Sequence, residues 1–569
     1  MRVLMITESF NSLSQRLHVE LRERGHEVSV EFDINNDVTM QAAALFQPDI
    51  VLAPFLKRHL LGELTGRCIC LIVHPGPEGD RGPAALDHAI LDQRVTWGVT
   101  VLQATADYDA GPVWASATFS MREARKSSLY LNEVASAAAL AVLEAIDRIA
   151  RGESPRPLDA SKLDAGWRGP VPNSVRAIDW RRDDTRTVLR KIASADGMPG
   201  CPAELCGRSL RLFNAHEAEP VVGARAGTLI ARSGDAIAVA TRDGAIWIGH
   251  LIDNESPHPF KLPAILVLGE QTAALPVVTV ASPYGFQEIA YMEHGKTGIL
   301  TFSFYNGAMG TSACKRLLAA YQTALQRDTD VLMLCGSTDH WSNGLDLNAI
   351  EAAASPADES LANISAMDDL SEAIIRTTDR LTISAVGGNA GAGGVFLARA
   401  ADEVWLRSSV ILNPHYKDMG NLYGSEYWTY LLPLHAGPEN AARIGATRLP
   451  VGAAEALRLG LANRLFDASA GTFNAIAIEA ALAAAAHPDL AGRIASKQQR
   501  RALDEAEKPL DAYRQEELSR MRRNFYGFDT SYHIARSNFV RKTRKARTPS
   551  VLAAHRRSYA NKASGGGSA

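Results

Sequence analysis

Cysteine is scarce in this chain: six in 569 residues, at positions 68, 70, 201, 206, 314 and 335. Six are too few for a disulfide framework. The Cys-x-Cys and Cys-x4-Cys spacings are joined by no matching pair of histidines, which argues against a zinc site. An excess of one charge is also missing: 60 Lys and Arg against 63 Asp and Glu leave a formal charge of −3, which gives no reason to expect nucleic-acid binding. No signal-peptide pattern and no run of 18 apolar residues occurs, so the chain reads as soluble and cytoplasmic, without a membrane partner. What remains is ordinarily globular, 46% hydrophobic and 22% charged. The length suits about three domains with ample core.

Residues 1–155 alternate strand and helix patterns. Val3–Thr7 is a short apolar strand opening onto Glu8-Ser9-Phe10-Asn11-Ser12; a helix pattern follows to Arg24, closed by Gly25, and Glu27–Phe32 restarts a strand. This β-α-β start lacks Gly-x-Gly-x-x-Gly, which disfavours a dinucleotide. A helix start still presents free N–H groups to an anion, so Ser9, Gln15 and Arg16 mark either a cofactor phosphate site or a solvated helix start. Asp49–Ala53 reads as a strand ended by Pro54-Phe55-Leu56, and Leu129–Ala150 as a closing helix. The stretch around which the rest is organised is Cys68–Pro112. Its apolar run ends in His74, a helix pattern and the strand Val99–Ala104 follow, and Asp109 lies in a Gly-Pro turn. A strand-end His and an Asp on the next loop can meet at the carboxyl edge of one sheet, where open α/β folds place ligands.

These residues resemble the 10-formyl-tetrahydrofolate-dependent formyltransferases, whose core is Asn-x-His-Pro-Ser plus Asp-x-Gly-Pro. His74 and Asp109 fill the His and Asp places and Arg81-Gly82 the Arg-Gly pair, while Ile72 stands for the Asn and Gly76 for the Ser. The resemblance implies a folate site, with Pro54, Phe55 and Leu56 against the pterin. After a Pro-containing linker (Arg151–Pro170), residues 168–265 hold a helix pattern, Asp184–Ser194. Short strands follow at Leu210–Phe213, Gly227–Ala231, Ala236–Ala240 and Ala245–His250. This is similar to the small OB-like β-barrel domain that follows the catalytic domain in formyltransferases.

Beyond the connector Pro257–Pro283, residues 285–470 change character. Val331–Cys335 is a buried-strand pattern leading to Asn343-Gly344-Leu345-Asp346, and Ile383–Val386 leads into Gly387-Gly388-Asn389-Ala390-Gly391-Ala392-Gly393-Gly394. A Rossmann reading fails because Phe396 stands where the third Gly belongs. The pair of loops, with Ile444–Phe466, resembles the crotonase (enoyl-CoA hydratase) superfamily. That resemblance implies that the amides of Leu345 and Gly393 polarise a thioester carbonyl, each contributing about 3 kcal/mol where charge develops. The two hydratase carboxylates align with Phe396 and His415. Phe cannot move a proton, so hydration of a double bond is not expected. Tyr416 and Glu426, just beyond, are an acid/base-capable pair, and in an extended segment His415 would point away from Tyr416.

Residues 471–563 form a helical, basic region. Arg514–Lys562 carries thirteen Lys/Arg against three acidic residues. That is a solvated face or a site for coenzyme A phosphates, with Arg541 and Lys542 as candidates. The final Ser-Gly-Gly-Gly-Ser-Ala reads as a flexible end. A multidomain α/β chain joining a Rossmann-like formyltransferase domain, an OB-like piece and a crotonase-like domain resembles a family of nickel–iron hydrogenase maturation proteins. The resemblance implies formyl transfer from 10-formyl-tetrahydrofolate to coenzyme A, then breakdown of formyl-CoA to carbon monoxide for the hydrogenase iron. His74 would relay the thiol proton while Asp109 holds its ring; Glu426 and Tyr416 would serve as base and acid, in either order. Hydrogenase maturation proteins or the hydrogenase large subunit are the implied partners; no resident metal is expected. Two alternatives are a formyltransferase with another acceptor plus a thioester hydrolase, and a folate-binding scaffold silenced by Ile72.

Overall fold

The computed structural model describes residues 1–60, 62–159, 167–219, 223–278 and 285–557. Parts of both expected linkers (160–166 and 279–283) and the Ser-Gly-Gly-Gly-Ser-Ala end lie outside the described residues. The chain divides into two compact units, Met1–Phe286 with Arg544–Ala569, and Gln287–Thr543.

In the first unit, β1 (Arg2–Thr7), β2 (Glu27–Phe32), β3 (Ile50–Phe55), β4 (Ile69–His74), β5 (Thr96–Gln103) and β6 (Val113–Ser120) form one sheet in the order β2-β1-β3-β4-β5-β6. The first four strands run parallel, β5 pairs antiparallel with β4, and β6 antiparallel with β5. Val3, Leu4, Met5 and Ile6, and Ile50, Val51 and Leu52, are wholly buried, as expected of parallel strands covered on both faces. The helix Ser12–Glu23 starts where Asn11 accepts a hydrogen bond from Ser14 N at 3.0 Å. Lys126–Ala150, although it holds no unbroken run of 18 apolar residues, is long and apolar enough by length and composition to cross a membrane. Most of it, however, is buried inside this unit, where Ala135–Ala150 packs on β5 and β6.

The second sheet is antiparallel: β7 (Cys201–Leu205), β8 (Arg208–Ala218), β9 (Leu229–Ser233), β10 (Ala236–Ala240) and β11 (Ala245–Asp253), in the order β7-β8-β11-β10-β9, with β12 (Leu262–Pro263) on β11. Asp184 caps the helix Thr185–Ala195, which packs on β8. Residues 544–557 return to the first unit and lie along the edge strand β2. There Val30 N donates to Leu552 O at 3.0 Å and Phe32 N to Thr548 Oγ1 at 2.8 Å. The basic region expected as one piece is therefore split: Leu490–Glu507, Leu510–Tyr526 and Ser531–Val540 belong to the second unit.

That second unit holds β13 (Ile289–His294), β14 (Thr297–Phe302), β15 (Val331–Cys335), β16 (His340–Ser342), β17 (Leu381–Val386), β18 (Asn389–Gly391), β19 (Glu403–Arg407), β20 (Ile411–Asn413), β21 (Val451–Gly452) and β22 (Arg464–Phe466). They form two sheets, β13-β14-β15-β17-β19-β22 and β16-β18-β20-β21. From the carboxyl ends of the buried parallel strands β15 and β17 the chain passes through β16 and β18 of the small sheet, and only then reaches the Gly344-Leu345 and Gly393 turns. The helix Pro356–Arg376 is capped by Ser355, with Pro at its first turn. It packs against Thr311–Leu325 on one side and Leu510–Tyr526 on another.

Candidate active sites

The first site forms at the carboxyl end of β4. His74 ends that strand, buried to 4% exposure. The loop after it is pinned from β5: Trp97 Nε1 donates to Pro75 O and Thr100 Oγ1 to Gly76 O, both at 2.9 Å. Asp109 adopts φ +52 in its turn and accepts from Gly82 N at 3.0 Å, so the Arg-Gly and Asp-x-Gly-Pro segments are tied to each other. Arg81 Nε donates to Tyr108 O at 2.9 Å. The expected pairing is present, with His74 Nδ1 3.4 Å from Asp109 Oδ1.

Sequence reasoning missed a second carboxylate: Asp80 Oδ2 lies 2.8 Å from His74 Nε2. A carboxylate accepts only, so an ionised Asp80 takes an Nε2–H, while the other ring nitrogen faces Asp109. Gly76 is explained by the same contact, because a Cβ there would overlap both Asp80 and the imidazole. The Asn place holds Ile72, which packs on the apolar core under β1, β3 and β4 and offers no donor. Asp80 was signalled only by standing beside Arg81-Gly82.

The remaining first-unit candidates lie nearby in the fold. Phe55 ends β3, its carbonyl accepting from Glu8 N at 2.9 Å and Thr7 Oγ1 at 3.2 Å, with Pro54 and Leu56 on either side of it in the chain. The Ser9 carbonyl accepts from Thr7 Oγ1 at 2.9 Å. Gln15 Nε2 donates to Phe10 O at 2.9 Å. Arg16 gives its Nε to Glu20 at 2.7 Å and NH1 to Ser136 at 3.1 Å, so a phosphate at Arg16 has to displace an ion pair.

The second site is built from two turns and one buried pair. Gly344 (φ +79) precedes Leu345, and its carbonyl accepts from Met309 N at 2.9 Å. Gly393 opens the helix Gly393–Arg399, so its N–H has no carbonyl four residues back. The turns face each other: a Cβ on Gly344 would lie 3.6 Å from Gly393 N. Against them sits Glu426, 1% exposed, so close that a Cβ on Gly393 would overlap its carboxyl group. Tyr416 OH donates to Glu426 Oε2 at 2.6 Å. Burial, followed by the charge of Asp368, pushes Glu426 well above the usual carboxylate range, against the hydrogen bond from Tyr416. Burial and Glu426 likewise push the Tyr416 phenol up.

Phe396, expected in a hydratase carboxylate's place, is stacked on the Tyr416 ring with centroids 5.7 Å apart and planes at 15°. The extended path expected through His415 is corrected by the structure. β20 ends at Asn413 and His415 N turns back to Asn413 O at 2.8 Å, so strand alternation does not decide where His415 points. Burial holds its imidazole below the ordinary value. Of the coenzyme A phosphate candidates, Arg541 NH1 pairs with Glu351 at 2.8 Å, while exposed Lys542 sits 4.8 Å from the Phe539 ring centre. Asp368 and Glu517, which grip the Glu426 turn, carried no signal: each is one acidic residue on a long helix.

Comparison with known proteins agrees with this architecture. Residues 305–537 match the model of the enoyl-CoA hydratase/isomerase family, and 172–258 that of the formyl transferase C-terminal domain. Over 194 residues, 34% of the chain, it is 25% identical to the methionyl-tRNA formyltransferase of Paraburkholderia phymatum, spanning 58% of that protein. The crystal structure of HypX from Aquifex aeolicus in complex with tetrahydrofolic acid superposes with a TM-score of 0.94 at 44% identity, covering 98% of this chain and 99% of that one. The hydrogenase maturation factor HoxX of Bradyrhizobium diazoefficiens is 56% identical over 557 residues, 98% of this chain and 97% of that protein. The chain belongs to the HoxX/HypX family of hydrogenase maturation factors.

Proposed function

We propose that the chain makes carbon monoxide in two steps, formyl transfer from 10-formyl-tetrahydrofolate to coenzyme A followed by decarbonylation of formyl-CoA. In the first site the thiol of coenzyme A attacks the formyl carbon. Asp80 fixes the imidazole through Nε2, and His74 passes the thiol proton, with Asp109, toward the departing folate nitrogen. The C–N bond breaks as the C–S bond forms. Backbone N–H groups or His74 itself replace the oxyanion donor that Ile72 lacks. That a relative of known structure is a complex with tetrahydrofolic acid supports a folate as the formyl donor.

In the second site the amides of Leu345 and Gly393 hold the formyl oxygen. Glu426, as carboxylate, takes the formyl hydrogen; the C–S electron pair leaves with sulfur, which takes a proton from Tyr416. Carbon monoxide and coenzyme A result. The 2.6 Å hydrogen bond then returns the proton from Glu426 to the phenolate oxygen, so both groups are restored without a proton from solvent. The observation that carries this reading is the buried Tyr416–Glu426 pair pressed against Gly393, where Phe396 removes a hydratase carboxylate. The relative named a hydrogenase maturation factor supports a product that serves the hydrogenase; on this reading the reaction runs in the cytoplasm, with hydrogenase maturation proteins or the hydrogenase large subunit as partners. The test mixes protein, 10-formyl-tetrahydrofolate and coenzyme A and assays the gas phase: carbon monoxide is expected, and formate in its place overturns the second step.

A further inference from the structure

The turn that presents Glu426 is strained. Glu426 (φ +61) and Tyr427 (φ +60) are consecutive non-glycine residues in the left-handed region. Such a conformation persists only where its surroundings over-determine it. Here two buried carboxylates from distant helices do so. Asp368, on Pro356–Arg376, accepts from Glu426 N at 2.8 Å and from Ser425 Oγ at 2.9 Å. Glu517, on Leu510–Tyr526, accepts from Tyr427 N at 3.0 Å, Ser425 Oγ at 3.3 Å, Thr429 N at 2.8 Å and the Thr429 hydroxyl. The amides of 426, 427 and 429 therefore all end on these two side chains.

We propose that Asp368 and Glu517 are positioning residues that hold Ser425–Thr429 in the conformation seating Glu426 beside Gly393, and that they share negative charge with Glu426; the role rests on the decarbonylase reading.

A merely structural clamp is poorly served by two carboxylates, because burying charge costs more than hydrogen-bonding it returns. Asp368 is 0% and Glu517 1% exposed. Arg514 acts on Asp368 through its charge but spends its hydrogen bonds on Asp369, Glu372 and Ser365 O. Burial pushes Asp368 up to about 7 and Glu517 up to about 8. The other ionisable groups acting on the cluster are Asp369, beside Asp368; Tyr416, hydrogen-bonded to Glu426; buried Cys314, on Thr311–Leu325, which feels the Glu426 charge; Tyr427, which feels Asp368; and Tyr423, which feels Glu517. Three carboxylates this close titrate as one unit. Glu426 can act as base only when ionised, so carbon monoxide formation rises with pH, and removing a neighbouring charge moves that rise to lower pH.

The test uses full-length Asp368→Ala, Asp368→Asn and Glu517→Gln with added formyl-CoA, measured as kcat and KM across neutral pH. Because Asp368 and Glu517 lie in the second unit, a cooperative unfolding transition and a near-ultraviolet circular dichroism spectrum like those of wild type report that each variant is folded. Asp368→Ala releases Glu426 N and is expected to lose about 100-fold in kcat, the scale of a misplaced catalytic group, with little change in KM. Asp368→Asn keeps an acceptor for Glu426 N; it is expected to lose less and to shift the pH–rate limb to lower pH, as is Glu517→Gln. Limbs superimposed on wild type in both amide variants, or wild-type kcat in Asp368→Ala, overturn the proposal while leaving decarbonylation intact. A wild-type protein that makes no carbon monoxide removes the reading on which it rests.

Discussion

At the scale of the residue, the departures from family patterns are local exchanges with visible causes. Gly76 stands where a serine is usual because Asp80 occupies the space and the hydrogen bond. With the Asp80–His74–Asp109 chain intact, His74→Ala and Asp109→Asn are each expected to lower folate deformylation about 100- to 10,000-fold while breakdown of added formyl-CoA continues. Unchanged deformylation in both removes the first site from the mechanism. In the second site, Tyr416→Phe with Glu426→Gln keeps size and removes proton transfer, so carbon monoxide stops and formyl-CoA or formate accumulates; wild-type release by the double variant shows other residues at work. His415→Ala is expected to be milder, since the hydrogen bond to Glu426 comes from Tyr416. The sign of the pH dependence follows from Glu426. Its carboxyl is held above the usual range, so the ionised base is lost as pH falls, and turnover of formyl-CoA declines toward acid before the substrate itself changes charge.

At the scale of the element, residues 544–557 act as a cover on an edge strand. Exposed edges invite unwanted pairing, and β2 is covered by Thr548, Leu552 and His555. His555 reaches Ser29 Oγ at 2.7 Å and Glu31 Oε2 at 2.9 Å, and Arg556 reaches Glu31 at 2.7 Å. Burial pushes Glu31 up, but the hydrogen bonds of His555, Thr548 and Arg556 outweigh it and leave the carboxyl below its ordinary value. Breaking a buried pair by removing one partner costs about 3 kcal/mol; with Arg556 and Thr548 still on Glu31, His555→Ala is expected to lower the unfolding free energy of the first unit by up to that amount, read as a lower midpoint in urea. An unchanged midpoint in urea shows that the segment is dispensable. Because the folded value of Glu31 is depressed, its contribution is fully present above the unfolded carboxylate value and disappears as pH falls through the folded one.

At the scale of the whole molecule, the proposed function gives the two units chemistries that are useful only in succession. A first-site variant (His74→Ala) mixed with a second-site variant (Tyr416→Phe, Glu426→Gln) is expected to restore carbon monoxide formation from 10-formyl-tetrahydrofolate and coenzyme A, since each carries one working half. No carbon monoxide from the mixture, with each half active alone, shows that formyl-CoA does not pass between molecules. Coenzyme A should bind wild type in a calorimetric titration and bind Arg541→Ala more weakly. Equal affinities place its phosphates elsewhere, which the Arg541–Glu351 pair already makes testable.

The linear chain determined those features whose physics is local. Strand periods, helix caps and the loops that end in His74, Asp109, Leu345 and Gly393 could be read because the residue types and their spacing sit within a few turns of one another. Tyr416 and Glu426, ten residues apart, were legible for the same reason, although their hydrogen bond was not. What depended on tertiary structure is the set of partners brought from far away. Asp368 and Glu517 reach one turn from helices at separations of 57 and 92 residues from Ser425, and His555 reaches Ser29 across 526. A buried carboxylate on a helix reads in sequence like any solvated acidic residue. Only the packing of a third element decides whether its charge meets water or the amides of a strained turn.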